Sequence, residues 1–440
     1  MNEAAADPAH EAPAAGSGRA GDPTDDTSIW RNGAFVRLWS AATVSYIGSF
    51  VTRTALPLAA IYGLGAGPLE LSAIRSLEFV GWLLFGLVAG AWVDRLRRRP
   101  VMIAADLGRA VVLGSIPVAA LAGVLTLAHL VVAAFLAAVL TVFFDAASTA
   151  YLPSIVARSR LLTANSALSA TASVAEFTGF GISGVLVQLL TAPIAIAVDA
   201  ASFLASAALL ATIRRPEPAR PAAIDREPVL REIREGIDEV ARRPVLRALA
   251  IAHAGTHLLW GVFSATYLLF AVEEIGLGPA AIGIVAALGG LGSFVGAATS
   301  PRIVRRLGAG RTMVVGLAGF ALGNMLIPLA PAGAVLVGGA FLVAQQLVGD
   351  AFGTIYEVVE QSVTQTIVHD RVLGRVNATI SFVTTLVALA GSIIGGVVGE
   401  AVGLRAAFAI GVFGAVFAAI AIWRSPAGRI QSVDEASAPA

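Results

Sequence analysis

Residues 71–123 read LSAIRSLEFVGWLLFGLVAGAWVDRLRRRPVMIAADLGRAVVLGSIPVAALAG, two long apolar runs on either side of the basic break DRLRRRP. A bilayer core of about 30 Å is crossed by about 20 helical residues at about 1.5 Å each. A strand crossing the same core needs only about 10 residues and alternates apolar with polar side chains. These runs are continuously apolar, so the stretch predicts two membrane helices joined by a short arginine-rich loop. Together with these two, runs of the same kind lie near 38–62, 71–94, 100–123, 128–152, 165–190 and 192–213. A charged segment follows, and then six more, near 247–271, 280–304, 311–330, 334–360, 377–399 and 403–423. The expected fold is an all-α membrane protein of 12 transmembrane helices.

Composition agrees. Of 440 residues 57% are hydrophobic and 13% charged, with a mean hydropathy of +0.81, whereas soluble domains carry about 25% charged residues. Cysteine is absent, which excludes disulfides, thiolate metal sites and a cysteine nucleophile. Every one of the 30 basic residues is arginine. Without lysine there is no Walker A loop and no Schiff-base cofactor, so no cofactor and no nucleotide motor are expected. The arginine-for-lysine bias suggests a GC-rich bacterial genome.

Arginines also orient the chain, because short loops rich in them stay cytoplasmic. The side carrying Arg95–Arg99, Arg158, Arg214, Arg302, Arg371 and both tails holds 26 of the 30, the opposite side holds only Arg405 in a loop, and Arg53, Arg75 and Arg109 fall inside spans. Both termini are expected in the cytoplasm and the chain in the bacterial cytoplasmic membrane. Residues 1–34 have no apolar run and are expected to be a disordered cytoplasmic tail, followed by a six-helix bundle over 35–213. Residues 214–246 form the expected cytoplasmic linker, in which Leu230, Ile233, Ile237 and Val240 recur on one face of a surface helix. A second bundle over 247–424 and a disordered cytoplasmic tail over 425–440 complete the expected organisation.

The halves echo each other. GAWVDRLRRR at 90–99 answers GAATSPRIVRRLG at 296–308, and IVARSRLLTAN at 155–165 answers IVHDRVLGRVN at 367–377. Two six-helix repeats of the same orientation imply a pseudo-twofold axis along the membrane normal, with a cavity between them.

The run from Gly90 to Arg99 resembles the loop signature Gly-x-Leu-x-Asp-Arg-x-Gly-Arg-Arg of the major facilitator superfamily, with Trp92 and Arg97 as departures. With FFDAASTAYLPSIV at 143–156, TANSA at 163–167 and LGRVNA at 373–378, residues 35–424 resemble its enterobactin-exporter and macrolide-efflux branch. The resemblance implies two pseudo-symmetric bundles and a conformational clamp made by Gly90, Asp94, Arg95 and Arg98, closed in the outward-facing state and released as the halves rock. Independently of the family, a carboxylate at the C-terminal end of a helix meets the negative end of the dipole, so Asp94 needs a compensating partner. Arg97 and Arg99 read as topology determinants. The fourth span lacks the arginine of many proton-driven exporters. TGFGISG from Thr178 places Phe180 where the superfamily has a proline, while Gly179, Gly181 and Gly184 preserve close packing.

Ionisable groups inside a span cost about 2.5–3.5 kcal/mol each to insert and so face a cavity or a partner. On the fifth span Ser166, Ser169, Ser173, Glu176 and Ser183 fall on one stripe, with Glu176 the leading proton or substrate site and a serine-lined packing face the alternative. The seventh span aligns His253, His257, Trp260, Ser264 and Tyr267, a face suited to an amphipathic, partly aromatic ligand. The tenth aligns Gln346, Asp350, Thr354, Glu357, Gln361 and Thr364. On the first, Ser45, Ser49 and Thr52 lead to Arg53, whose expected partner is Glu78, with Arg75 competing for it. Asp106, Arg109 and Asp145 are expected to pair structurally, and Asp199 to hydrogen-bond Ser202 or Ser206. Gly391, Gly395 and Gly399 read as a helix-packing device. No metal site is expected.

The function implied by the resemblance is export of a small amphipathic molecule, such as a drug, siderophore or secondary metabolite, by alternating access with proton antiport. The substrate and proton candidates are Ser49, Arg53, Glu78, Glu176, His257, Trp260, Tyr267, Gln346 and Asp350. The expected partners are a small-molecule substrate, protons and membrane lipid, with no nucleic acid, and the chain is expected to act as a monomer. A proton-coupled nutrient importer shares these features. A non-transporting membrane receptor or enzyme is the third class, though no loop is long enough to hold a catalytic domain.

Overall fold

The computed structural model describes residues 28–93, 95–214, 237–368 and 370–432. They form α1 (Gly33–Leu64), α2 (Pro68–Val93), α3 (Arg98–Leu121), α4 (Leu127–Ile155), α5 (Leu161–Leu190) and α6 (Ala192–Ala211). The second set is α7 (Pro244–Leu269), α8 (Pro279–Leu307), α9 (Ala309–Leu329), α10 (Val335–Ile367), α11 (Asp370–Ala401) and α12 (Leu404–Arg424). No strand occurs among the described residues. Eleven of these helices are long and apolar enough to cross a membrane; the other, α2, has 26 residues and carries Glu70, Arg75 and Glu78. Helices suit this setting because every backbone polar group is satisfied within the segment. Their ends are set locally. Asn32 accepts from the Ala34 and Phe35 amides at 3.1 and 3.3 Å, and Gly65 closes α1 at φ +64°, a conformation that favours glycine.

Several helices outrun their apolar stretches at the arginine-rich end: α10 continues through Gln361 and Thr364 to Ile367, and α11 begins at Asp370 rather than near 377. Residues 237–242 of the linker are helical; 215–236 lie outside the described residues. Residues assigned from sequence to the C-terminal tail include a 3-10 turn, Pro426–Arg429. The chain beyond it pairs with the start of α9, Gly310 N donating to Ile430 O at 2.8 Å.

The two sets repeat one packing scheme. In the first, α1 packs on α5 and α6, α3 on α4 and α6, and α2 on α4. In the second, α7 packs on α11 and α12, α9 on α10 and α12, and α8 on α10. The main contacts between sets, α5 with α8 and α2 with α11, exchange under the same shift of six helices.

Core packing shows where the sets meet. One apolar cluster joins Val51, Leu71, Ile74 and Phe203 of the first set to Phe270, Ile282, Val285 and Phe408 of the second, at the end opposite the arginine-rich loops. At the arginine-rich end each set has its own core: Phe35, Met102, Phe144 and Tyr151 in one, Leu249, Met313, Tyr356 and Ile422 in the other. Among the described residues, apolar packing therefore closes the two sets together at one end and leaves them as separate cores at the arginine-rich end.

Candidate functional site

α1, α2 and α5 of the first set and α7 and α10 of the second carry the polar groups of the central region. Arg53 stands past the middle of α1 with its side chain exposed, and its guanidinium lies 5.2 Å over the Phe50 ring, a favourable cation–π placement. The charges acting on it are those of Arg75, Glu78 and Glu176. The expected Arg53–Glu78 pair is not what forms. Arg75 takes Glu78, Nη1 to Oε2 at 2.8 Å, because the two sit three residues apart on one helix face and need no second helix to meet. Arg75 also donates Nη2 to the Arg53 carbonyl at 3.0 Å and Nε to the Ser264 carbonyl of α7 at 3.1 Å.

On α5 the serine stripe divides. Ser166, Ser169, Ser173 and Glu176 are exposed, whereas Ser183 is fully buried and donates to the Val51 carbonyl at 3.0 Å. The charge of Glu176 acts on Arg53 in its own set and on Asp350 and Glu357 in the other. Its charge thus reaches both halves. Asp350 and Gln346 lie against Gly289 of α8, where a Cβ would come within 2.3 Å of Asp350 Oδ2 and 2.7 Å of Gln346 Nε2. That glycine makes room for the two polar side chains.

The α7 stripe becomes an aromatic ladder. Trp260, half exposed, stacks on Phe263 with centroids 5.8 Å apart, and Phe263 stacks on Tyr267 at 4.2 Å. Tyr267 is buried and its hydroxyl has no hydrogen-bond partner; Asp350 is the charge acting on it. Toward the arginine-rich end, His253 Nε2 lies 3.1 Å from Glu360 Oε2, and Thr364 donates to the other Glu360 oxygen at 2.6 Å. His257 Nδ1 lies 2.9 Å from the His253 carbonyl. The His253–Glu360 contact and the role of Phe263 escape a single-sequence reading, since each helix shows its stripe but not which neighbour the stripe meets. Among the described residues no group of three His, Cys, Asp or Glu could hold a metal ion.

Several of the remaining polar groups are held in scaffold contacts. Ser49 is half-buried on α1, while Thr52 turns to α6 and donates to Asp199, which also accepts from Ser202 at 3.1 Å. Asp106 pairs with Arg109 within α3. Of the expected clamp, Asp94 lies outside the described residues, Gly90 falls in the last turn of α2, Arg95 is exposed and Arg98 opens α3. Arg99, expected to serve topology alone, donates Nε to the Leu210 carbonyl at 2.8 Å. It thereby caps the C-terminal end of α6, where a cation suits the helix dipole.

Against known proteins, a family model described as the Major Facilitator Superfamily matches residues 38–363 and 249–439. The multidrug efflux pump Tap of Mycolicibacterium fortuitum is 30% identical over 227 residues, 50% of this chain and 55% of Tap, so the match spans about half of that relative's length. The uncharacterized MFS-type transporter YfiS of Bacillus subtilis (strain 168) is 25% identical over 328 residues, 72% of this chain and 76% of YfiS. Among solved structures, a point mutant of the nucleoside transporter NupG superposes with a TM-score of 0.73 at 12% identity, over 88% of this chain and 98% of that one. A bacterial homologue of the iron transporter ferroportin in an inward-facing state gives 0.73 at 16% identity, over 90% and 98%. The chain belongs to the major facilitator superfamily and is a membrane transporter, not an enzyme.

Proposed function

We propose that this transporter exports a small amphipathic molecule from the bacterial cytoplasm by alternating access, driven by proton antiport. The observation that carries the proposal is that exposed Glu176 of one half lies within electrostatic reach of Asp350 and Glu357 of the other, and that Asp350 in turn reaches Tyr267 of the Trp260–Phe263–Tyr267 ladder. Carboxylates within electrostatic reach of one another repel, and a cation arriving among them relieves that repulsion. A proton and a cationic or polar substrate group can therefore compete for one place, which is what antiport requires. The stacked rings supply an apolar platform for the rest of the ligand.

In this reading Glu176 is the principal proton carrier. Arg53, Asp350, Gln346, His257, Trp260 and Tyr267 line the substrate path with Ser49, and Glu78 holds Arg75. Gly90, Asp94, Arg95 and Arg98 clamp the arginine-rich end in the alternate state. Both termini lie in the cytoplasm, and the chain works as a monomer. The partial likeness to Tap supports export.

Expression in an efflux-deficient bacterial host is expected to raise tolerance to amphipathic antibiotics. Glu176→Gln should abolish that protection while sparing exchange of a labelled solute across vesicles. Undiminished protection by Glu176→Gln overturns the carrier assignment, and accumulation of the solute in expressing cells overturns export in favour of import.

A further inference from the structure

Two arginines of this chain grip their surroundings with the same chemistry. Arg405, at the start of α12, donates Nε to Glu274 at 2.7 Å, Nη1 to the Pro328 carbonyl at 2.7 Å and Nη2 to the Ala330 carbonyl at 2.6 Å. Arg75 likewise binds one carboxylate, Glu78, and two carbonyls, those of Arg53 and Ser264. The planar fork of arginine suits such multiple, directional bonding. The difference lies in where the acceptors belong. All those of Arg405 sit in the last six helices and their loops, whereas Ser264 is on α7, across the interface from Arg75. A bond inside one half survives rocking; a bond between halves exists only while that end is closed.

We propose that Arg75 is a state-dependent latch, a positioning residue of the transport cycle that holds the end opposite the arginine-rich loops shut through the Ser264 carbonyl. Among the described residues the other hydrogen bonds of this seam come from neutral donors: Ser76 to Ser392 at 3.2 Å, Ser392 to the Ser72 carbonyl at 3.3 Å, and Ala280 N to Gln188 Oε1 at 3.1 Å. Bonds from a charged donor are about twice as strong, so Arg75 weighs most in this seam. It also touches both walls of the central site. Ser264 sits in the aromatic ladder of α7, and the Arg53 carbonyl belongs to the residue whose guanidinium feels Glu176. A ligand that displaces either wall pulls on the same guanidinium. The latch rests on the rocking of two halves and is independent of direction and substrate.

The chain has no cysteine, so introduced cysteines carry the only spin labels. Labels at exposed Leu121 and Leu336 report the opposite end, and at exposed Leu162 and Leu307 the arginine-rich end. Their distances are measured by pulsed electron paramagnetic resonance in reconstituted protein without substrate. Arg75→Gln is expected to shift the ratio of open to closed opposite ends about tenfold toward open, equivalent to about 1.4 kcal/mol. Arg75→Lys, whose ammonium cannot reproduce the fork, should shift it by less. Arg405→Gln should lower the melting temperature and leave the distances in place.

Parent-like distances in Arg75→Gln overturn the latch, as does an equal shift in Arg405→Gln. Should Arg75→Gln fail to fold, parent-like distances in Arg75→Lys overturn it instead. Because no substrate enters, a negative result here leaves the export reading untouched, and failure of the Glu176→Gln test leaves the latch untouched.

Discussion

Arg109 is enclosed by groups that leave its charge no route to water. Its guanidinium lies 4.5 Å over the Phe144 ring and 4.1 Å over that of Phe203, pairs with Asp106 and is 3% exposed. Removing one member of a buried pair strands the other and costs about 3–5 kcal/mol, whereas replacing both by neutral groups of similar volume is often close to neutral. Arg109→Met alone is therefore expected to lower the melting temperature more than Arg109→Met combined with Asp106→Asn, and a thermal melt in which the double variant is the less stable of the two contradicts this. The pair was legible in sequence because i,i+3 spacing fixes it within one helix, and the same rule explains the miss at Arg53. Hydropathy gives the depth of Arg53 and Glu78 but not their azimuth about the helix axes, so the intrahelical Arg75 wins the carboxylate. His253 falls on the polar stripe of its span, yet its contact with Glu360 depends on how α7 is rotated against α10, which no local pattern encodes.

Among the helices, α5 and α8 make a close backbone crossing between the halves. A Cβ on Gly184 would stand 2.4 Å from the Pro279 carbonyl oxygen, and one on Gly283 would stand 2.9 Å from that of Phe180. Gly184 of TGFGISG thus serves close approach, as the resemblance implied, although a phenylalanine occupies the proline position. Gly184→Val is expected to force the two helices apart at the closed end. A cysteine at position 188 of the same chain should then react several-fold faster with a membrane-impermeant maleimide than in the parent background, and an unchanged rate would show that the crossing is dispensable. Helix number and order were legible because each span is a long apolar run. Helix ends at the arginine-rich side were not, since polar turns such as Gln361–Thr364 continue a helix once it has left the hydrocarbon, where hydropathy no longer marks it.

For the protein as one object, an apolar cluster spanning both sets at the closed end and two separate clusters at the other describe a pair of bodies hinged by packing. The repeat of contacts under a shift of six helices makes the two crossings, α5 on α8 and α2 on α11, equivalent partners in that closure. If transport requires them to part, tying one crossing covalently must stop the cycle without unfolding either half. The geometry permits such a tie. A Cβ built on Gly181 would lie 3.7 Å from the Ala287 Cβ, within the roughly 3.5–4.5 Å that a disulfide spans, and the cysteine-free background excludes competing pairs. Gly181→Cys with Ala287→Cys is accordingly expected to cross-link under mild oxidant, to leave the melting temperature at or above that of the reduced protein, and to abolish transport until a reductant restores it. Cross-linking that leaves transport intact would mean that this end never opens, and two rocking halves would then be the wrong description of how this chain moves its substrate.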